Sequence, residues 1–432
     1  MKPKIPFLST SPQEDIGLAI SLIWLWWLLG VNIVVFQAVA LIVLAKMMVI
    51  KRKTGCKIII PYCLLPLIGL AATYAFSLAV NASGFSAGRV MAGVNNLSVW
   101  IVGIIVIAFI YNFFEEAHIT AVAKALFILG RITIVFSISA ILLWILFKRE
   151  IVVFSPVYYL VPGSLKEEFD LLKQSTELVF VGTDWFSLKS IPRIAAFFPY
   201  PVALGGAMLM TIPVSTFVIR NKGKLHRWLN FTLLQIPLLL SISRLSILAF
   251  WGVNGVAGLL RRKRVLLLSV LLIAVPLVVI NIGSMLGAYD YILKLREASS
   301  LNRFSLYGDT ISLALKSPVI GWGIKPTHDT LLIRIGSHST YIGLLYKTGM
   351  LGLLFYTVFL VSVGVKCMRN AKGCGAGTLS GCLAVAFFSM VLWQMGEDID
   401  APQNVAFIYF VVVGMILRIE RGKTVAEVPC VK

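Results

Sequence analysis

The sequence predicts an all-α polytopic integral membrane protein with about twelve transmembrane helices. Three observations lead there. The 432 residues are 59% hydrophobic and only 13% charged, with a mean hydropathy of +0.90. That is more apolar surface than one soluble core hides. The apolar runs continue for about 17–25 residues without alternating, which fits helices rather than barrel strands. Inside lipid each backbone polar group needs a partner in its own segment, and a helix supplies it. Finally, short basic clusters punctuate the runs. The net charge of +20 would suit a nucleic-acid binder, but clusters placed between apolar runs act as topology determinants, and no nucleic-acid partner is expected.

The spans fall at 15–30, 33–50, 58–80, 97–114, 120–147, 199–219, 228–242, 245–260, 265–283, 339–365, 377–394 and 402–418. The first two form a tight pair around Gly30-Val31-Asn32, and the seventh and eighth another around Ser241-Ile242-Ser243-Arg244. Basic clusters stand at Lys51-Arg52-Lys53 with Lys57, at Arg220, Lys222, Lys224 and Arg227, and at Arg261-Arg262-Lys263-Arg264. Two more follow, at Lys366, Arg369 and Lys372, and at Arg418, Arg421 and Lys423. With the N-terminus inside, all of them face the cytoplasm, and an even number of spans returns the C-terminus there. The 115–119 connection alone lacks positive charge, so the fourth and fifth spans rest on hydropathy. No A-x-A-like cleavage site closes the apolar stretch 16–50, so no signal peptide is expected. The chain reads as one transmembrane domain, 1–432, in a plasma membrane. Its six cysteines lie near the cytoplasmic ends, so no disulfide framework is implied.

Two exported loops are long, 148–198 and 284–338. Ser164-Leu165-Lys166-Glu167 in the first is a capping-box pattern, and Leu165, Phe169 and Leu172 follow at helical spacing. A short amphipathic helix on the outer leaflet is expected. The second loop carries Lys294, Arg296, Arg303, Lys316, Lys325 and Arg334 against four acidic residues. A second amphipathic helix is expected at 305–316.

Several residues are candidates for chemistry. His338, at the entry of a span, is able to take a proton near neutral pH; alone, it reads as a histidine satisfied at the headgroup level. Arg244 at an outer membrane end offers a donor fork suited to phosphate, and a lipid phosphate would serve it equally. Arg303 precedes Pro318 and Gly321-Trp322-Gly323, a turn that permits close backbone approach. Arg193 precedes Phe197-Phe198-Pro199 and fits a snorkelling side chain, as do Arg131 and Lys46. Glu397, Asp398 and Asp400 form an acidic outer turn that reads as a solvated loop.

Together these pieces carry more than each alone. His338-Ser339, nine residues, then Gly349-Met350-Leu351-Gly352 resembles the H-[NSQ]-x9-G-x-x-[GTY] pattern of the O-antigen ligase and polymerase superfamily, the Wzy-type polymerases and WaaL-type ligases. Arg303 followed by Pro318-Val319-Ile320-Gly321-Trp322-Gly323 is similar to that family's arginine and P-x-x-G-x-G segment, and Ser243-Arg244 to its S-R turn. Two departures stand out. Ile194 follows Arg193 where the family often has glycine, and Ser339 stands where asparagine is commoner.

The resemblance implies a GT-C-like membrane glycosyltransferase that uses a polyprenyl (undecaprenyl) diphosphate-linked glycan on the outer side of a bacterial inner membrane. Arg244 and Arg303, with Arg193 as a third, would hold the diphosphate, and His338 would be the general base. No metal or other cofactor is expected. Polymerisation of O-antigen, capsule or exopolysaccharide is the leading expectation, beside a flippase and a chain-length regulator. Ligation to lipid A core is the alternative, and a secondary transporter is the alternative of another class, though two similar halves with midplane ionisable sites are missing. A non-catalytic scaffold would not need clustered arginines beside a histidine.

Overall fold

A computed structural model describes residues 12–168, 170–183, 192–261, 297–326, 334–336, 338–371 and 377–427. Helices run in the order α1 (Pro12–Ser21), α2 (Ile23–Leu29), α3 (Asn32–Thr54), α4 (Leu64–Asn81), α5 (Ala87–Phe113) and α6 (Glu116–Phe147). After an irregular segment come α10 (Pro201–Val218), α11 (Lys224–Leu240), α12 (Arg244–Arg261), α13 (Glu297–Ala314), α14 (Thr340–Ala371), α15 (Leu379–Trp393) and α16 (Gln403–Glu427). Seven of the described helices are long and apolar enough to cross a membrane: α3, α4, α5, α6, α10, α14 and α16. The chain is a polytopic helical membrane protein. The expected ninth span, 265–283, lies outside the described residues. The fourth span starts ten residues earlier than its apolar run, because Ala87–Gly93 continues the same helix.

The bundle is organised around α16, whose residues Val405–Leu417 are buried all round. Glycines set the closest approaches. A Cβ on Gly103 of α5 would meet the Phe410 ring at 2.7 Å, and one on Gly206 of α10 would meet Trp393 at 2.9 Å. Small residues let neighbouring helices gain dispersion contact where lipid offers no hydrophobic drive. Gly30 at φ 79 ends α2 and turns the chain into α3, as the tight first pair requires.

At one end of the bundle the connections are basic. The α5–α6 connection has no basic residue of its own and receives two from α16: Arg418 Nε donates to Phe114 O, and Arg421 Nη1 donates to Tyr111 O at 3.1 Å. Lys366 and Glu420 pair nearby at 2.5 Å. Lys46 does not snorkel as expected. Lys46 is buried and ion-paired with Asp15 at 2.5 Å, and Arg131 donates to Asn230 Oδ1. A local polar partner costs less than stretching a long side chain to the headgroups.

The segment 148–198 departs from the all-α expectation. It holds α7 (Pro156–Leu160), α8 (Gly163–Glu168) and α9 (Asp170–Thr176), together with an antiparallel sheet of β1 (Ile151–Phe154), β2 (Glu177–Thr183) and β3 (Pro192–Ile194) in that order. Ser164 lies inside α8 rather than capping it. Helices α8 and α9 cover the stretch where a short helix was expected, and the β-branched runs beside it, Ile151-Val152-Val153 and Val179-Phe180-Val181, favour pleated structure. The sheet packs on α6 through β2 and β3, with Phe180 against Trp27 at 6.1 Å between ring centroids.

Candidate active site

The two motif halves fold into one unit. α14 is broken at Gly349, whose φ 63 and ψ −167 are not helical. In a continuous helix Met350 N and Leu351 N would donate to Tyr346 O and Lys347 O. Here they donate to Pro318 O at 2.7 Å and Val319 O at 3.3 Å, while Trp322 N and Gly323 N donate to Tyr346 O at 2.8 Å and Lys347 O at 2.9 Å. Four bonds to the 318–323 turn replace two helical ones, so these backbone groups stay paired across the kink.

Glycine is required on both sides of this clasp. A Cβ on Gly321 (φ 67) would lie 2.6 Å from Gly349 N, and a Cβ on Gly349 would lie 2.6 Å from Ile320 N. The nine residues between Ser339 and Gly349 are thus the first arm of α14, about two and a half turns, with His338-Ser339 at its tip. Gly349→Ala is expected to destabilise the protein by about 2–4 kcal/mol, combining a glycine-only backbone conformation with backbone overlap; the melting temperature in detergent checks this.

At the tip, His338 has φ 61, and its carbonyl accepts from Tyr307 Oη of α13. Ser339 is buried beneath it, with its Oγ toward Ile342 N at 3.4 Å. The His338 side chain is 33% exposed, and its Nδ1 lies 3.8 Å from Glu397 Oε2.

Glu397 belongs to the turn between α15 and α16, which is a correction to the sequence reading. It is not solvated: Glu397, Asp398 and Asp400 are 5%, 6% and 0% exposed. The turn is stapled to Thr340, whose N donates to Gln394 O and Glu397 O, both at 3.0 Å. Thr340 Oγ1 donates to Glu397 O at 2.8 Å and accepts from Ile399 N at 2.9 Å. Below it lie two buried lysines. Lys325 pairs with Asp398; Lys347 pairs with Asp400 and stands 3.8 Å from Asp398. Trp100 Nε1 donates to Asp400 at 3.1 Å.

Burial drives the Lys325 ammonium below its ordinary value, although Asp398 opposes this. Burial would raise the Asp398 carboxyl, but Lys325 and Lys347 outweigh it and hold it below the usual range. Burial and then the Asp398 charge push Asp400 up. Tyr200, which caps α10, has its phenol held well above the ordinary value by burial and by Glu397, Asp398 and Asp400, so it remains a neutral donor beside them.

The expected arginines stand on three elements. Arg303 lies in α13 one turn before Tyr307, the residue that holds His338 O. Arg244 begins α12 after the Ser241–Ser243 turn, where Ile242 has φ 48. That turn sits on α10: a Cβ on Gly205 would meet Ser246 Cβ at 2.9 Å, about one helical turn from Tyr200. Arg193 is in β3, opposite Gly182 of β2, and β3 packs against α6, α10 and α11. His338 and Arg303 thus belong to the packed α13–α14 pair, while Arg193 and Arg244 belong to β3 and α12, both of which pack on α10.

Lys347 and the three carboxylates were missed as site residues. The available signal was a lone lysine in the apolar run around Leu344–Leu354, which inside a membrane protein calls for a buried counter-charge.

Residues 229–357 match the family model described as O-Antigen ligase. This shows the resemblance to the O-antigen ligase and polymerase superfamily over that segment. It takes in Arg244, Arg303, the 318–323 turn, His338 and the Gly349 kink, and leaves Arg193 and the acidic turn outside. No curated protein matches the chain.

Proposed function

We propose that this chain, with its O-antigen ligase segment, transfers a glycan from a polyprenyl diphosphate carrier to a sugar hydroxyl on the outer face of the membrane. The observation that carries the reading is His338, part-exposed at the tip of the α14 arm and backed by the buried Glu397 carboxylate.

In this reading the acceptor oxygen attacks the anomeric carbon and the carbon–oxygen bond to the diphosphate breaks. The diphosphate leaves with the electron pair, and the acceptor proton passes to the imidazole of His338. Arg244 and Arg303, with Arg193 as the weaker third, stabilise the departing charge. Fixed cations beside a developing anion are often the largest catalytic contribution. Arg244→Ala is expected to lower turnover by about 10²–10³-fold with expression intact. Arg244→Lys should restore little, because a lysine cannot present the bidentate fork.

Polymerisation is preferred over ligation, the two differing in acceptor alone. Purified protein in proteoliposomes, given a polyprenyl diphosphate oligosaccharide, should yield longer lipid-linked chains. Product appearing only when lipid A core is added would make it a ligase. No product with either acceptor, together with uptake of a labelled solute, would replace the enzyme reading by a transporter.

A further inference from the structure

We propose that Glu397 is the positioning residue of His338, and that the buried Lys325–Asp398 and Lys347–Asp400 pairs exist to hold its turn in place. The inference rests on the reading of His338 as the base. Three features of the fold carry it. Glu397 Oε2 stands 3.8 Å from His338 Nδ1, too long for a hydrogen bond in the resting protein and within reach of one after a small closure. Second, the two residues are 59 apart in sequence, yet Thr340 binds the backbone on both sides of Glu397 through its N and Oγ1. The arm that bears the histidine and the turn that bears the carboxylate therefore move as one piece.

The third feature is the division of charge. Lys325 and Lys347 are engaged with Asp398 and Asp400, and Glu397 is the carboxylate of the turn that faces the imidazole. A carboxylate beside Nδ1 favours the tautomer with its proton there. Nε2 is then left as the acceptor for the substrate proton, and the cation formed when that proton arrives is stabilised. Lys325 also follows two residues after the turn that clasps the α14 kink, and its carbonyl accepts from Arg89 of α5. One network thus ties the glycine turn, the histidine arm and the acidic turn together. Gly343 is needed at its centre: a Cβ there would meet Gly336 O at 2.6 Å.

The test compares wild type, Glu397→Gln, Glu397→Asp and His338→Ala for kcat and KM in transfer from a polyprenyl diphosphate oligosaccharide. Glu397→Gln should lose at least about tenfold in kcat with KM changed less than about twofold, because the carboxylate acts on the base and not on the donor. A purely structural role would lower melting temperature and active fraction instead. Should Glu397→Gln lose its fold, Glu397→Asp of native melting temperature decides: reduced kcat at unchanged KM supports the assignment, and full kcat overturns it. An inactive His338→Ala beside a fully active Glu397→Gln would overturn the role of Glu397 and leave the base reading standing. An active His338→Ala would remove both.

Discussion

Replacing His338 by alanine should lower glycan transfer by about 10²–10⁴-fold, the usual worth of general-base help, while donor binding stays near that of wild type. The imidazole is part-exposed at the tip of α14, and its removal leaves the Gly349 clasp and the Thr340 staples untouched. The expectation is therefore a loss in kcat without a loss of fold. Initial rates at saturating donor, with the melting temperature of the same preparations, separate the two. His338→Asn should be as slow as His338→Ala, since an amide keeps the polarity and cannot accept the proton.

The second large effect concerns stability. Lys347→Ala should cost about 3–5 kcal/mol, because it leaves Asp400 buried and uncompensated at a site with no exposure. Asp400→Ala should cost a similar amount by stranding Lys347. Replacing both, as Lys347→Met with Asp400→Leu, should recover most of the loss, since an apolar pair of similar volume avoids desolvating two charges. The melting temperatures of the four proteins close the cycle. Two single losses that simply add would mean that the pair contributes no coupling.

Much of the helical scaffold was legible in the sequence because lipid makes the rules strict. Unbroken apolar runs must be helices, and the tight turns at Gly30 and at Ser241–Ser243 fall where glycine and serine interrupt them. The 318–323 turn was readable as a place of close backbone approach. What it approaches, the opened kink at Gly349, was not, because a glycine inside an apolar run is compatible with an unbroken helix.

The small sheet was missed for a different reason. Runs of four to seven apolar residues fit strand or helix, and the helical spacing of Leu165, Phe169 and Leu172 drew attention from the β-branched stretches beside it. The acidic turn misled because three carboxylates close in sequence look solvated. Their partners Lys325 and Lys347 come from elements more than fifty residues away, and such pairing has no local signature.

The central claim is that the end of the bundle bearing His338 receives a lipid diphosphate. A polyprenyl diphosphate oligosaccharide with a photoreactive group on its first sugar, irradiated with the purified protein and mapped by peptide mass, tests it most directly. The account predicts labelling around His338, Glu397 and the start of α12 at Arg244, competed away by unlabelled donor. Labelling confined to the basic end, at Lys51–Lys53 or Arg220–Arg227, would contradict it.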